Sequence, residues 1–448
     1  MNGKFAVLGN AFYSESFDSV KYIEKGLFCV DENGMIEKVL CPEDREYRRQ
    51  VQSYKDTGRL AEMKPEEIML PGFVDLHIHA SQWPQAGTAL DKPLEIWLGE
   101  YTFPLEAKYR DMAFAGRVYE DIVKNTLDNG TTTAMYFATV DRRPSVLLAK
   151  IAGQAGQRAL VGKVVMDDPV SNPDFCRDAD SRQAVSETEK FIEDVLEFRD
   201  SFKQKVYPVI TPRFIPSCTD RCLEKLGQLA QQKKIHIQTH CSESDWAHGY
   251  AKERYGINDA AALDRFGFIS DKTVLAHAPF LEEEDVKLLA QKGTSIAHSP
   301  LSNAYFASAV LPLKEFHSKG VNIGLATDIS GGYCPSMYSA VRQAVISSRM
   351  LNEGVDPSLA RENRGRPDSA ITLNNAFYCA TVGGGKALDL PIGKLEKGYS
   401  FDVQVIDTSF GFPLYYPEKK PEDLLHKILL LCERSNIKQV WVQGQQVK

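Results

Sequence analysis

The 448-residue sequence has no CxxC pair, and its nine cysteines are scattered and odd in number. That usage argues against a disulfide framework and is typical of an intracellular protein, so we expect a cytoplasmic location. No apolar run approaches the roughly 18 residues that a membrane-spanning helix needs. The amino-terminal stretch MNGKFAVLGNAFYSESFDS turns polar too soon for a signal peptide. We therefore expect a soluble protein with no membrane partner.

The sequence also has no excess of positive charge, because it contains 53 Lys and Arg residues and 60 Asp and Glu residues, which gives a net charge of −7. This balance argues against nucleic acid or an anionic membrane as a partner. Glycine and proline are too sparse and aperiodic for a collagen-like or low-complexity chain, and no solenoid repeat is present. A globular chain of this length is expected to contain a large domain and a smaller one.

Short apolar runs alternate with long helix-like stretches across the middle of the chain. The runs are IMLPGFVDLHIH, GTTTAMYF, RALVGKVVMD, VYPVITPRF, IHIQTHCSE, TVLAHA, TSIAHSP and NIGLATD. Eight such strands separated by helices predict a (β/α)₈ TIM-like barrel of the α/β class. The β-rich segments at both chain ends predict a small β-sandwich domain. We place its amino-terminal part at residues 1–69, the barrel at 70–385 and the carboxyl-terminal part at 386–448.

Histidine is scarce, with nine in the chain, so the positions of these residues are informative. His77 and His79 are two apart at the end of the first run and therefore share one strand face. His240 and His277 end the fifth and sixth runs, and Asp328 ends the eighth. A single strand-end histidine is commonly structural, but five such groups should converge where barrel enzymes build their sites. Imidazole and carboxylate ligands predict Zn²⁺, with iron or manganese as alternatives.

Glu243 follows His240 by three residues, as HxxE. It is either a helix cap or, beside a metal-bound water, a proton shuttle, and its neighbours favour the shuttle. The fourth run has no lysine that could bridge two ions after carboxylation, which favours one ion per subunit. His236 is expected to pack in the core, whereas His298 either lines the pocket or packs beneath Pro300.

The segments PGFVDLHIHA, HCSE, LAHA and LATD resemble the amidohydrolase superfamily, in its mononuclear, HxxE-bearing deaminase branch. PGFVDLHIHASQWPQAG, TPRFIPSC, HSPLSN and TDISGGYCPSM are similar to the guanine deaminases, and this resemblance covers nearly the whole chain. It implies a zinc-dependent aminohydrolase that converts guanine to xanthine and ammonia in purine catabolism. It also implies a homodimer with one Zn²⁺ per subunit.

The resemblance further implies a role for each site residue. Zinc-bound hydroxide would attack C2 of guanine while Glu243 carries the proton, with His277 touching the water or substrate and Asp328 accepting the water's proton. The implied zinc ligands are His77, His79, His240 and Asp328. The implied substrate contacts are His79, Ala80, Ser81, Gln82, Arg213, Phe214, His240, His277 and Asp328. An arginine fork suits the O6/N7 edge of guanine, and a phenylalanine can cover a purine face.

Other interpretations stay open at this point. Arg213 could form a structural salt bridge, and Phe214 could pack in the core. A related hydrolase could act on adenine, cytosine or a triazine, although Arg213 favours a ring edge that carries oxygen. A scaffold protein on a catalytically dead barrel would usually lack part of the ligand set. The sequence Gly383-Gly384-Gly385-Lys386 lacks the other elements of a P-loop.

Overall fold

A computed structural model describes residues 3–415 and 418–448 of the chain. The strands in these residues are β1 Phe5–Ser14, β2 Val20–Val30, β3 Ile36–Leu40, β4 Leu60–Glu62, β5 Glu67–Pro71, β6 Phe73–His79, β7 Thr131–Phe137, β8 Arg158–Val165, β9 Val206–Pro212, β10 Ile237–Cys241, β11 Thr273–His277, β12 Ser295–His298, β13 Asn322–Leu325, β14 Val403–Asp407, β15 Ile437–Val442 and β16 Gln445–Gln446.

The α-helices in the same residues are α1 Tyr47–Asp56, α2 Leu94–Trp97, α3 Phe103–Glu106, α4 Met112–Asp128, α5 Arg142–Gln154, α6 Ser181–Phe198, α7 Asp220–Lys233, α8 Asp245–Tyr255, α9 Asp259–Arg265, α10 Glu283–Lys292, α11 Pro300–Ser302, α12 Leu313–Ser318, α13 Met337–Glu353, α14 Leu373–Tyr378, α15 Gly384–Ala387 and α16 Pro421–Leu431. A 3₁₀ turn at Ala80–Gln85 and a π turn at Asn303–Ala307 also border the site described below.

The larger sheet contains eight parallel strands in the order β6 to β13. Strands β6, β7 and β8 are buried along their whole length, because parallel strands are covered on both faces. The Asp328 amide donates to the His77 carbonyl at 2.9 Å, and the His79 amide donates to the Ile329 carbonyl at 2.8 Å. These bonds join the segment after β13 to β6 at its carboxyl end. The predicted (β/α)₈ barrel is therefore confirmed.

Helix α4 illustrates how the sequence builds the outer layer of this barrel. The Asp111 side chain accepts hydrogen bonds from the Ala113 and Phe114 amides, which satisfies two donors of the first helical turn. Its buried side chains recur at helical spacing and include Ala115, Tyr119, Ile122, Val123 and Thr126. The helix thus packs one apolar face inward and leaves its polar face to solvent.

The second sheet is built from both ends of the chain, as predicted. Its order is β16-β15-β14-β5-β1-β2-β3, with β4 beside β1. Strands β2 and β3 form a hairpin, whose turn places Gly34 at φ +81°. Phe5 stacks on Trp441 at 5.6 Å and meets Phe401 edge-on at 5.9 Å, so aromatic side chains from both chain ends form its core.

The two sheets meet at Gly72. We expected IMLPGFVDLHIH to form one strand, and this was wrong: β5 pairs with β14 in the terminal sheet, whereas β6 pairs with β7 in the barrel. A Cβ atom at Gly72 would collide with the Thr132 side chain, so only glycine fits at this crossing. A buried ion pair between Arg158 and Asp402 also links the barrel to the terminal sheet.

The boundaries 1–69, 70–385 and 386–448 stay predictions, although the junction at Gly72 lies close to the first of them. Among the helices of residues 3–415 and 418–448, none has the length and apolar character needed to cross a membrane.

Candidate active site

The five strand-end groups predicted from the sequence meet at the carboxyl end of the barrel. His77 and His79 end β6, His240 lies in β10, and His277 is the last residue of β11. Asp328 lies three residues beyond β13. All five side chains are buried. Residues 251 positions apart in sequence are thus brought together by strand order alone, as expected for a barrel.

Their side-chain atoms are close together. Nε2 of His77 lies 3.1 Å from Oδ1 of Asp328, and Nε2 of His79 lies 3.7 Å from the same oxygen. The Nε2 atoms of His79 and His240 are 3.0 Å apart. Nε2 of His277 lies 3.8 Å from Oδ2 of Asp328. Three imidazoles and the carboxylate therefore surround one point, with a fourth imidazole beside it.

Burial makes these histidines neutral. It lowers the pKa of His77, His79 and His240 well below the ordinary value for imidazole, and repulsion from neighbouring cationic groups lowers it further. Burial also lowers the pKa of His277, against the attraction of Asp328. Neutral imidazole is the form that binds a metal ion, so burial keeps each ring in the protonation state that a metal ligand needs.

Hydrogen bonds at Nδ1 fix the orientation of two of the imidazole rings. Nδ1 of His240 donates to the main-chain carbonyl of Arg213 at 2.6 Å, and Nδ1 of His277 donates to Oδ1 of Asn303 at 3.0 Å. Each bond requires a proton on Nδ1, which leaves the Nε2 lone pair directed to the site. Asp75 braces the neighbouring main chain by accepting from the Thr327 amide at 3.0 Å. Burial raises the pKa of Asp75 to about 7.

The residues present fit a metal ion. His77, His79 and Asp328 have ligand atoms within 4.8 Å of one another, and His77, His240 and His277 form an overlapping group. Nε2 of His77 and Nε2 of His277 are buried with no hydrogen-bond partner in the part of the chain that the structure describes. Buried polar atoms normally have partners, and a histidine and carboxylate set of this kind is a zinc donor set.

Glu243 enters the site from the turn after β10. Its Oε1 lies 3.6 Å from Nε2 of His277, and burial together with repulsion from Asp328 raises its pKa to about 8. Such a carboxyl group can hold a proton at neutral pH and release it. The alternative role of helix cap belongs instead to Ser244, whose side chain accepts from the Ala247 amide at the start of α8.

The backbone is strained at three points around these groups. Ser242, His277 and Asp328 have φ values of +49°, +74° and +50°. Non-glycine residues in this left-handed region each cost on the order of 1–3 kcal/mol, and they persist where the surrounding structure fixes them. In this chain they occur where Glu243 and Asp328 reach the cavity lining and where His277 lies beside both carboxyl groups.

A small cavity opens above the cluster. Its lining residues are His79, Gln82, Leu94, Trp97, Leu98, Arg213, Phe214, His240, Glu243, Phe306, Asp328 and Gly331. The predicted contacts Gln82, Arg213 and Phe214 thus face the cavity. Ala80 and Ser81 are buried beside it without lining it, and the Ser81 hydroxyl donates to the Ala138 carbonyl at 2.9 Å. The roles of both in substrate binding stay predictions.

The cavity has an apolar wall and a polar floor. Trp97 from α2 packs on Phe306 from the turn after β12, with ring centroids 5.2 Å apart. Phe214 packs edge-on against Trp246 at 5.7 Å. A small planar ring could therefore lie between aromatic side chains while its polar edge meets the residues below.

Two supporting residues were missed by the sequence reasoning. Glu106 lies behind the cavity, and its carboxylate accepts a hydrogen bond from Arg213. The structural salt bridge considered for Arg213 is therefore present, and Arg213 also lines the cavity. Asn303 orients His277. A signal for Glu106 exists in its spacing of three residues from Phe103, which places both on one helical face. No sequence pattern pairs Asn303 with His277.

The remaining histidines lie outside the cluster. His298 is buried without lining the cavity, and His236 lines a separate pocket at the opposite end of the strands. His317 is partly buried and stacks on Phe17, with ring centroids 3.8 Å apart.

Comparison with known proteins agrees with this geometry. Residues 68–447 match the amidohydrolase family. The chain is 38% identical to the guanine deaminase of Homo sapiens over 87% of its own length and 84% of that protein. It is 33% identical to the guanine deaminase of Dictyostelium discoideum over 98% and 97% of the two chains. A crystal structure of guanine deaminase from C. acetobutylicum, with guanine bound in its active site, superposes with a TM-score of 0.89 at 28% identity, covering 99% of this chain and 100% of that one. The chain therefore belongs to the amidohydrolase family, and the relatives it matches at 33–38% identity are guanine deaminases.

Proposed function

We propose that the chain catalyses zinc-dependent hydrolysis of guanine to xanthine and ammonia. The observation that carries this proposal is a single cavity that combines a histidine and aspartate cluster, a carboxyl group with a raised pKa, and the side chains of Gln82, Arg213 and Phe214. Relatives that are guanine deaminases over most of the chain length support it further.

His77, His79, His240 and Asp328 would hold the zinc ion. When bound, zinc would lower the pKa of a water molecule to about 7 and so supply a nucleophile at neutral pH. The Nδ1 hydrogen bond of His240 to the Arg213 carbonyl keeps that ring in the tautomer the metal requires.

The substrate would be held by its ring edge and by its faces. Arg213 presents N–H donors to O6 and N7 of guanine, the same edge that arginine contacts in DNA recognition. Adenine carries an amine at that edge, which would place a donor against a donor. Phe214 covers one face of the purine, while Leu94 and Trp97 exclude water from the apolar side.

Glu243 would move the protons of the reaction. Its carboxyl group would give a proton to the purine ring as water adds at C2, and it would then take up the proton that the new C2 hydroxyl releases. It would pass this second proton to the departing 2-amino nitrogen, so that the C2 carbonyl forms and ammonia leaves. His277, with Nε2 3.6 Å from Oε1 of Glu243, orients this carboxyl group. Asp328 would accept the proton that the attacking water gives up and return it to Glu243 at the end of the cycle. The overall balance is guanine plus water to xanthine plus ammonia.

We further propose that the protein acts in the cytoplasm as a homodimer in purine catabolism. All nine cysteines are free, as expected in a reducing compartment. Light scattering on the purified protein measures the oligomeric state, and a monomer would contradict the proposed homodimer.

The proposed function is tested by offering the purified protein guanine, adenine, cytosine and an aminated triazine in parallel. We expect xanthine and ammonia in equal amounts from guanine, with kcat/KM for the other rings at least about 100-fold lower, since a site built to hydrogen-bond an oxygen rejects analogues that lack it. Faster turnover of another ring would overturn the assignment of guanine as substrate. A folded protein with no turnover and no bound metal would favour the scaffold interpretation.

A further inference from the structure

Glu106 is a buried carboxylate that does not line the cavity. It ends α3, is 2% exposed, and lies behind the two polar residues proposed to contact the substrate. Its Oε2 accepts from Nη1 of Arg213 at 2.8 Å, and its Oε1 accepts from Nε2 of Gln82 at 3.2 Å. One side chain thus contacts both recognition residues, which lie 131 positions apart in the sequence.

These contacts fix the orientation of the Gln82 amide. An ionised carboxylate can only accept, so the NH₂ group of Gln82 must face Glu106. The amide oxygen then accepts from the Ser330 main-chain amide at 3.3 Å. With both ends of the amide assigned, the face that Gln82 presents to the cavity is determined before any ligand binds.

Glu106 also balances the charge of Arg213. The guanidinium is 2% exposed, and an unpaired charge at that depth is strongly unfavourable. Burial opposes its charge, but the attraction of Glu106 and the hydrogen bond between them outweigh burial, so the pKa of Arg213 is raised. The Arg213 guanidinium also lies 5.2 Å from the Phe103 ring centroid, which places it between a carboxylate and an aromatic face.

We propose that Glu106 is a positioning residue that sets substrate specificity. It holds the Arg213 guanidinium and the Gln82 amide as one rigid surface, whose donors and acceptors match a purine ring with oxygen at position 6. This inference rests on the proposed function, because it takes Arg213 and Gln82 to contact guanine.

The test is the isosteric substitution Glu106→Gln, with Glu100→Gln as matched control. Glu100 lies in the same segment but is more than half exposed and pairs only with Lys92 among the described residues. We expect Glu106→Gln to raise the KM for guanine roughly 10- to 100-fold, since hydrogen bonds to charged groups contribute that much, while kcat changes far less. Bound metal should stay unchanged, whereas the melting temperature should fall because the buried Arg213 loses its counter-charge. Every parameter of Glu100→Gln should stay unchanged.

A second variant separates positioning from folding. Glu106→Asp keeps the charge and shortens the side chain, so we expect a smaller KM increase than with Glu106→Gln and a folded protein in any case. The proposal is overturned if the unchanged protein turns over guanine and neither variant alters KM by more than twofold. It is equally overturned if the variants lose metal or kcat with no change in KM. Failure of the unchanged protein to act on guanine would instead remove the proposed function, and this inference with it.

Discussion

Replacing Asn303 with leucine should slow guanine turnover without unfolding the protein. Oδ1 of Asn303 is the acceptor that holds a proton on Nδ1 of His277, at 3.0 Å. The other end of that amide, Nδ2, is buried with no hydrogen-bond partner in residues 3–415 and 418–448. Leucine has nearly the same size and removes no other side-chain bond. The substitution therefore isolates the contact with His277.

The expected magnitude follows from that single contact. Leaving a buried N–H without an acceptor costs about 1–3 kcal/mol. At about 1.36 kcal/mol per factor of ten in rate, this corresponds to a roughly 5- to 160-fold loss of kcat/KM if the whole penalty falls on the transition state. Steady-state kinetics with guanine measure it, with bound metal determined on the same sample.

Tyr305→Phe provides the control, because Tyr305 lies in the same turn with its side chain 46% exposed. We expect this variant to keep the kinetic parameters of the unchanged protein. A kcat/KM for Asn303→Leu within twofold of the unchanged value would refute the role of Asn303 in orienting His277. An equal loss in Tyr305→Phe would attribute the effect to the turn as a whole.

The remaining predictions concern the proton carrier, the purine edge and the junction of the two sheets. Glu243→Gln should lower kcat by about 10²–10⁴-fold with bound zinc unchanged, and a smaller loss would contradict its role as proton carrier. Arg213→Lys keeps the charge beside Glu106 but loses the planar fork, so kcat/KM for guanine should fall by about 10-fold or more with metal content unchanged. An equal loss of kcat/KM and of bound metal would contradict the role of Arg213 in substrate recognition. Asp402→Asn leaves the buried Arg158 without its counter-charge and should destabilise the fold by roughly 3–5 kcal/mol, and an unchanged melting temperature would contradict this.

Strand periodicity and strand ends were sufficient to predict that four histidines and Asp328 lie close together. Side chains two apart share a strand face, so His77 and His79 could be placed together, and the carboxyl ends of successive barrel strands meet at one rim. The eight apolar runs and the scarcity of histidine contain all the information needed for this prediction. Glu243 could be located as well, because its distance from His240 is short and local.

The division of the first apolar run could not be predicted in the same way. Residues on both sides of Gly72 are buried, so hydrophobicity is continuous across the point where the chain passes from one sheet to the other. The hydrophobic pattern indicates which residues are buried, but it does not indicate which strand each segment pairs with. The collision that a side chain at Gly72 would make with Thr132 exists only once the strands are assembled.

Glu106 and Asn303 were missed for a related reason. In the sequence, Glu95, Glu100 and Glu106 look alike in one segment, yet of these three only Glu106 is buried. What distinguishes it is the approach of Arg213 from a strand more than 100 residues away. The spacing from Phe103 indicates only the helical face on which Glu106 lies. The contact of Glu106 with Arg213, like that of Asn303 with His277, is set by the assembled barrel.

We propose that the cluster of His77, His79, His240 and Asp328 holds one zinc ion needed for guanine deamination. The most direct test measures zinc content and xanthine production on the same sample before chelation, after chelation and after zinc is restored. We predict one zinc per chain, turnover that falls in proportion to the zinc removed, and recovery when zinc returns. Full turnover by protein shown to be free of metal would contradict the account.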